Sequence, residues 1–482
     1  MGRNILIFSD GTGQGGGILV DERRSNVYKL YRATRCGPDS TVDPAEQLAF
    51  YDPGLGSRAA GGEKVGLWRR LYNVASQATG LGLSRNIVDC YAAIVRMWQP
   101  GDRIYLFGFS RGAYTVRCLS GVLSLCGVPT CVKDGSPLRR DPDSAQAVAA
   151  EAVKSVYQYG SGVKDDALGP ERRERARAFR EAYGSDQDGG PNAAPYLIGV
   201  WDTVAALGLP LAGSTLVALA CGALFLGTAA LAAFVRLLLW SGVFGATAAE
   251  AGFVGIFVPL LILALLATAA TFAWNYIYWP AGSGPDRRGF KVASTLRMKF
   301  YDRTLGSRVA FARHALSIDE DRRDFERVTW KPEPGAASPG EGLVRLRQVW
   351  FAGNHSDVGG SYDENESRLS DIALGWMVDE ARALPKPLLV NEAYLRLFPS
   401  SAGPQHDEAR SGFAGLPPPL RRLLRWKTQP REIKPNAPLH PSVLDRFTLP
   451  RVRVYDVDAA YRPSPLREHR DVAHHYDEAP LR

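Results

Sequence analysis

The chain has 482 residues and a formal net charge of +8, enough chain for one large domain plus extensions. Its basic residues do not interleave with aromatic ones, which argues against a nucleic-acid-binding patch; the charge excess suits anionic headgroups, at about 1 kcal/mol per basic residue near a surface, or simply solubility. Six dispersed cysteines (Cys36, Cys90, Cys118, Cys126, Cys131, Cys221) form no Cys-x-x-Cys pair and read as reduced, mostly core residues in a cytoplasmic setting.

The first element is Arg3-Asn4-Ile5-Leu6-Ile7-Phe8-Ser9, a strand running into the loop Asp10-Gly11-Thr12-Gly13-Gln14-Gly15-Gly16-Gly17. Asp10 falls where a signal peptide would need an apolar stretch. Gly11, Gly13 and Gly16 satisfy the dinucleotide pattern, but no acidic residue between Glu22 and Asp39 is present to hold a ribose. No Gly-Lys-Ser/Thr follows, which excludes a phosphate loop, and the nucleophile of an aspartyl phosphatase would fall at Phe8. Two readings stay open. One is a loop whose N–H groups at Gly11 and Thr12 face a developing oxyanion; the other is a structural turn.

Arg103-Ile104-Tyr105-Leu106-Phe107 favours a strand, and in 113–123 the apolar residues recur at helical spacing. Between them lies Gly108-Phe109-Ser110-Arg111-Gly112. Strand, G-x-S-x-G, helix is the context of a nucleophile elbow, a sharp turn that lifts the serine hydroxyl clear of the sheet. Gly108 and Gly112 leave room for that turn, and the N–H of Arg111 is a second oxyanion donor. Residues about 141–190 are polar and partly helical, and the charges of 171–177 read as a solvated face with i,i+4 pairs.

Tyr196-Leu197-Ile198-Gly199-Val200-Trp201-Asp202 is an apolar run ending in a carboxylate. It reads as a buried parallel strand with its acid at the carboxyl end, where α/β sites form; a turn or helix-capping aspartate is the alternative. No charged residue occurs over 203–235 or over 251–285. Each run exceeds the roughly 20 apolar residues that cross a bilayer, with spans expected at 211–235 and 252–279. An aromatic cluster, Phe272 to Trp279, suits the headgroup level, and Arg287, Arg288, Lys291, Arg297 and Lys299 after it put that end in the cytoplasm. A hairpin returns the chain to the side it left, so both catalytic flanks are cytoplasmic too. Two buried core helices are the alternative; their Ala/Gly-rich composition and length argue against it.

All seven histidines (His314, His355, His406, His440, His469, His474, His475) follow Ser110, so only the order serine, acid, histidine is open. His314 lies in a segment, 313–320, that reads as helical and structural. Residues 344–353 alternate as a strand, and the loop Asn354-His355-Ser356-Asp357-Val358-Gly359-Gly360 presents His355 as the base. His474 and His475 sit in a polar tail. Asp357 orients that loop, stands in as the acid, or binds a cation with Asp10; the structural role is best supported, because no second histidine joins it at ligand spacing. Residues 329–342 form a Pro/Gly loop. After about 399 the chain is proline- and arginine-rich, with order at 452–457 and fraying at its end.

Taken in order, Phe8-Ser9-Asp10-Gly11-Thr12, Tyr51-Asp52-Pro53-Gly54-Leu55-Gly56, Gly108 to Ala113, Gly199-Val200-Trp201-Asp202-Thr203-Val204, Arg313-His314-Ala315-Leu316, Asp319-Glu320, Asn354 to Gly360 and Leu439-His440-Pro441-Ser442-Val443 form a pattern. It resembles the bacterial α/β-hydrolase family, long known only as a domain of unknown function, that includes type VI secretion phospholipase effectors. The resemblance covers most of the chain outside about 209–285. It implies an esterase or lipase fold and a triad of Ser110, Asp202 and His355.

The expected fold is α/β: an α/β-hydrolase-like, mostly parallel sheet with helices on both faces, interrupted by a two-helix transmembrane hairpin. Residues 1–208 form the first part of the core, with its polar insert at about 141–190. Residues 209–282 form the hairpin, 283–400 the second part with the base histidine, and 401–482 a partly ordered extension. The expected function is that of a membrane-anchored serine hydrolase of carboxylic esters, a phospholipase or lipid esterase working through an acyl-enzyme. Ser110, Asp202 and His355 are its catalytic residues, Gly11, Thr12 and Arg111 its oxyanion donors, and Asp10, Gly108, Gly112 and Asp357 its supports. No metal and no cofactor is expected. Expected partners are the lipid bilayer, at a bacterial inner membrane, and a lipid ester substrate; an effector would add an immunity or secretion partner. Two alternatives stand: an esterase or acyltransferase of small or polymeric esters whose hairpin is only an anchor, and an inactive tethered scaffold.

Overall fold

Short runs of Ile, Leu, Phe and Tyr with small or polar residues at their ends make the strands, and in the computed structural model six of them join one parallel sheet. They are β1 (Asn4–Ser9), β2 (Gln47–Asp52), β3 (Arg103–Phe109), β4 (Pro195–Trp201), β5 (Phe311–Ser317) and β6 (Leu346–Phe351). Their order is β6-β5-β4-β3-β1-β2, every pair parallel. The structure describes residues 2–11, 23–54, 81–159, 169–204, 213–240, 252–278, 291–292, 304–323, 325, 327–331, 340, 342–411 and 426–477. Thr12, the glycines at 13–17, Leu55, Gly56 and most of the loop at 332–341 lie outside them.

Parallel strands buried on both faces read as continuous apolar runs, and their alternation separates two cores. Ile5, Ile7, Ile104, Leu106, Ile198 and Val200 face one side, where α2 (Leu81–Met97) and α3 (Arg111–Cys126) pack. Leu6, Phe8, Tyr105, Phe107, Leu197 and Trp201 face the other, covered by α1 (Asn26–Thr34) and by Arg368–Arg382. Helices on both faces of a parallel sheet make the α/β-hydrolase-like layout expected. The polar insert forms α4 (Pro142–Glu151) and α5 (Gly169–Ala182), and on α5 Arg177 pairs with Glu174 and Glu181 across one exposed face.

One element departs from expectation. His314 lies on β5, not on a helix. The segment is buried along its whole length, so the outward polar residues that betray a strand are missing. Its one charge, Arg313, is satisfied internally by Glu380 at 2.5 Å.

The extension after 399 does not hang free. Val443, Phe447, Val452, Tyr461, Leu466 and Val472 bury themselves against Leu316, Ile318, Trp350 and Ala352 at the ends of β5 and β6. There, Pro441–Thr448 is helical, and a short hairpin pairs Val452–Val454 with Val457–Ala459.

The chain divides into two units: Met1–Tyr159 with Lys164–Gly208 and Met298–Arg482, and Gly160–Val163 with Leu209–Arg297. The smaller unit holds α6 (Gly213–Trp240) and α7 (Phe253–Tyr276), which pack on each other through Phe225 and Phe257, edge to face at 5.2 Å. Their stretches Cys221–Trp240 and Phe253–Ala270 are long and apolar enough to cross a bilayer. Phe234, Trp240, Leu263 and Leu266 are exposed on them.

Candidate active site

The sheet register aligns the carboxyl ends of its central strands. Ser9 stands opposite Gly108, and Phe109 opposite Trp201. Ser110 and Asp202 follow those strands directly. Both have positive φ, 57° and 38°. A non-glycine residue held there costs on the order of 1–3 kcal/mol, so the surrounding structure must over-determine both turns. One tie does so: the Ser110 amide donates to the Trp201 carbonyl at 3.2 Å.

The elbow closes only because its flanking residues lack a side chain. A Cβ on Gly108 would lie 2.5 Å from the Gly112 carbonyl oxygen, and one on Gly112 would lie 1.9 Å from that of Ser9. Ser110 starts α3 but its hydroxyl does not cap it, so the oxygen is not spent on the backbone.

His355 is brought to this edge by Asn354 and Asp357. Asn354 caps the short helix α8 (His355–Gly359), and Asp357 returns the favour by accepting from the Asn354 N–H, a reciprocal capping box. The imidazole packs on Phe109, the neighbour of Ser110, with ring centroids 4.6 Å apart, and edge-on to Phe325 at 5.4 Å. His355 Nδ1 lies 2.6 Å from Asp202 Oδ2. Its Nε2 is buried and has no hydrogen-bond partner among the described residues. An imidazole oriented through Nδ1 with its other nitrogen unspent is what a general base requires.

Asp202 is buried and surrounded by donors. Its Oδ1 accepts from the Ser317 N–H at 3.1 Å and from Arg431 Nη1 at 2.5 Å, and Arg431 Nη2 reaches Oδ2 at 2.9 Å. Burial alone would push this carboxyl up, but Arg431 first and His355 second outweigh it and hold it well below the usual carboxylate range. Nothing in the sequence around Arg431, a proline- and lysine-rich stretch, marks it; only the fold brings it here. Glu320 was likewise unassigned a role. Its carboxylate accepts from the His355 N–H at 3.3 Å and is paired with Arg322 at 2.7 Å.

His314, the rival base, is spent elsewhere. Its Nε2 accepts from the Thr203 N–H at 3.3 Å, and burial pushes it down to about 3, so it stays neutral beneath the acid turn.

Among the described residues, Asp10 and Asp357 have different hydrogen-bond partners. Asp10 accepts from Ser25 Oγ at 2.5 Å, Tyr51 OH at 2.6 Å and the Gly11 N–H at 2.7 Å. In this structure the Gly11 N–H therefore donates to the adjacent carboxylate. Gly11 itself does reach the elbow, since a Cβ there would lie 3.5 Å from that of Ser110. Asp357 accepts from His406 Nδ1 at 2.7 Å and from the His406 N–H at 3.0 Å. Among the described residues no group of three or more histidine, cysteine or acidic side chains is placed to hold a metal ion.

A six-stranded parallel sheet with a strained serine turn and a histidine–carboxylate pair at one edge defines an α/β-hydrolase-like protein. More narrowly, the model of the type VI secretion (T6SS) phospholipase effector Tle1-like catalytic domain matches residues 3–224 and 267–380. The chain belongs to that family, and membership supports a lipase- or phospholipase-type function. An uncharacterized protein of Saccharomyces cerevisiae is 35% identical over 133 residues, 26% of this chain and 18% of that protein. The crystal structure of an uncharacterized protein from Pseudomonas aeruginosa is similar with a TM-score of 0.34 and 17% identity, covering 88% of this chain and 49% of that one. The chain thus spans less than half the length of either relative.

Proposed function

We propose that this chain is a membrane-anchored serine hydrolase that releases fatty acid from phospholipid through a Ser110–His355–Asp202 triad. The carrying observation is the 2.6 Å contact of His355 Nδ1 with Asp202, with Nε2 left buried and unspent beside the elbow. In this reading Ser110 Oγ attacks the ester carbonyl while His355 Nε2 takes its proton. The Arg111 N–H, the amide that follows the elbow serine, stabilises the tetrahedral oxyanion. The Gly11 amide would have to leave Asp10 to join it, and Thr12 lies outside the described residues. His355 then protonates the leaving alcohol, and water activated by the same imidazole frees the acyl group.

Two apolar helices of bilayer-crossing length support membrane anchoring, and the family supports a lipid ester as substrate. The catalytic part is proposed to lie in the cytoplasm at the inner membrane, on the strength of the basic residues after the second span. An immunity or secretion partner follows only if the chain acts as an effector.

The test is fatty-acid release from phospholipid vesicles by the detergent-purified protein and its Ser110→Ala variant. Release by the wild type and its loss in the variant are expected. Hydrolysis of a small soluble ester through Ser110 with no action on phospholipid would keep the triad and remove the lipid. Silence on both would leave an inactive scaffold.

A further inference from the structure

Arg431 comes to the acid from beyond residue 380, where the family match ends. Its guanidinium is buried and grips both carboxylate oxygens of Asp202, Nη1 on Oδ1 at 2.5 Å and Nη2 on Oδ2 at 2.9 Å. The same two nitrogens donate to the carbonyls of Ser317 at 2.9 Å and Phe325 at 3.3 Å. A planar fork matched to a carboxylate fixes the plane of that carboxylate as well as its distance, which a single ammonium cannot do. Oδ1 is then filled by Arg431 and the Ser317 N–H, and Oδ2 is left turned to His355.

We propose that Arg431 is a positioning residue of the hydrolytic site: it locks the plane of Asp202 so that Oδ2 meets His355, and it sets a buried positive charge against that carboxylate. The proposal rests on the triad reading given above. Asp202 is faced by Arg431 from the C-terminal region, by His355 from α8 and by His314 from β5. Behind His355 stands the Glu320–Arg322 pair, and Arg117 of α3 acts on His314. Burial works against the charge on Asp202, and Arg431 is the largest influence opposing it. Without the guanidinium, His355 and the Ser317 N–H are left to oppose burial. Removing that positive charge lets the Asp202–His355 pair take up a proton at higher pH, so an activity that needs the carboxylate and a free imidazole together fails at higher pH.

The experiment is the pH profile of kcat/KM for a soluble nitrophenyl ester, run on the full chain and on Arg431→Met and Arg431→Lys, with thermal melts to confirm folding. The acid limb of Arg431→Met is expected to move up by about one pH unit or more. Arg431→Lys, which keeps the charge but not the fork, is expected to hold the limb in place and lose roughly tenfold in kcat/KM. A limb unmoved in folded Arg431→Met overturns the proposal, because a merely structural role lowers the profile without shifting it. Should Arg431→Met fail to fold, Arg431→Gln carries the same expectation. Should neither fold, wild-type kcat/KM in Arg431→Lys overturns it. Ser110→Ala in the same assay separates the two readings: activity surviving there removes the triad itself, whereas activity lost there with an unmoved limb removes only Arg431.

Discussion

Nδ1 of His355 stands 2.6 Å from Oδ2 of Asp202, though the two residues are 153 positions apart and belong to different turns of the sheet edge. The contact decides the tautomer. With its proton on Nδ1 held by the carboxylate, the imidazole offers a lone pair at Nε2. An asparagine at 202 can donate its NH2 group to Nδ1 and stabilise the opposite tautomer, with the proton on Nε2.

Asp202→Asn is therefore expected to lower kcat by about 10⁴-fold while leaving KM little changed. It should also cost stability, because Arg431 would remain buried with no carboxylate. Breaking a buried ion pair from one side costs roughly 3–5 kcal/mol. Steady-state kinetics and a denaturant titration read the two effects separately. A variant within tenfold of wild type would remove Asp202 from the triad.

The elbow glycines are steric requirements. A methyl on Gly112 would sit 1.9 Å from the Ser9 carbonyl oxygen, backbone that cannot swing aside. Gly112→Ala is expected to destabilise the protein by at least about 2 kcal/mol and to disorder the nucleophile with it. Gly306→Ala, whose nearest neighbour would be Ser124 Oγ at 3.6 Å, is the control and should be nearly neutral. Equal melting temperatures for both variants would contradict the close packing of α3 on β1.

The residues of the proposed triad were legible because each stands at the end of a local pattern. Ser110 closes an apolar run inside G-x-S-x-G, Asp202 ends another, and His355 opens the loop after an alternating edge strand. The parallel layout followed from the same runs. What stayed hidden depends on contacts between distant segments. Arg431 has no periodicity around it, and its role exists only once the C-terminal region packs against β5 and β6. His314 was misread for the opposite reason: β5 is covered on both faces, so its sequence lacks the alternation that distinguishes a strand from a helix. The bond from the Gly11 N–H to the Asp10 carboxylate, one residue away, is a third contact that the loop's sequence does not announce.

Two buried acids predict how stability varies with pH. Burial pushes Asp52 up to about 7 and Asp10 up to about 6 from an ordinary 3.8. In the unfolded chain both lose their protons near pH 4; in the folded chain they keep them to higher pH. The folded state therefore binds more protons between these limits, and stability falls as pH rises through them. The contribution is complete below about pH 4 and gone above about pH 7. Asp52→Asn retains an oxygen for Ser9 Oγ and Asn86 Nδ2, which both donate to the same carboxylate oxygen now. It is expected to match wild type at pH 4 and exceed it by about 2–4 kcal/mol at pH 8. Urea denaturation at the two values measures this, and a gain equal at both would show that Asp52 does not titrate in that window.

The hairpin supplies the last prediction. The chain leaves β4 at Trp201, carries Asp202, and enters the first apolar helix at Gly213. On the proposed anchoring, a tether so close in sequence to the acid turn would keep the hydrolase unit at the bilayer and turn encounter with a lipid into a local event. Such tethering is worth on the order of 10²-fold or more in effective concentration, and it does nothing for a substrate dissolved in water. Deleting 211–279 is therefore expected to cut fatty-acid release from vesicles by about that factor while turnover of a soluble ester stays within about threefold of wild type. Loss of both to the same extent would mean that the hairpin serves the fold of the hydrolase unit, and loss of neither would detach it from catalysis altogether.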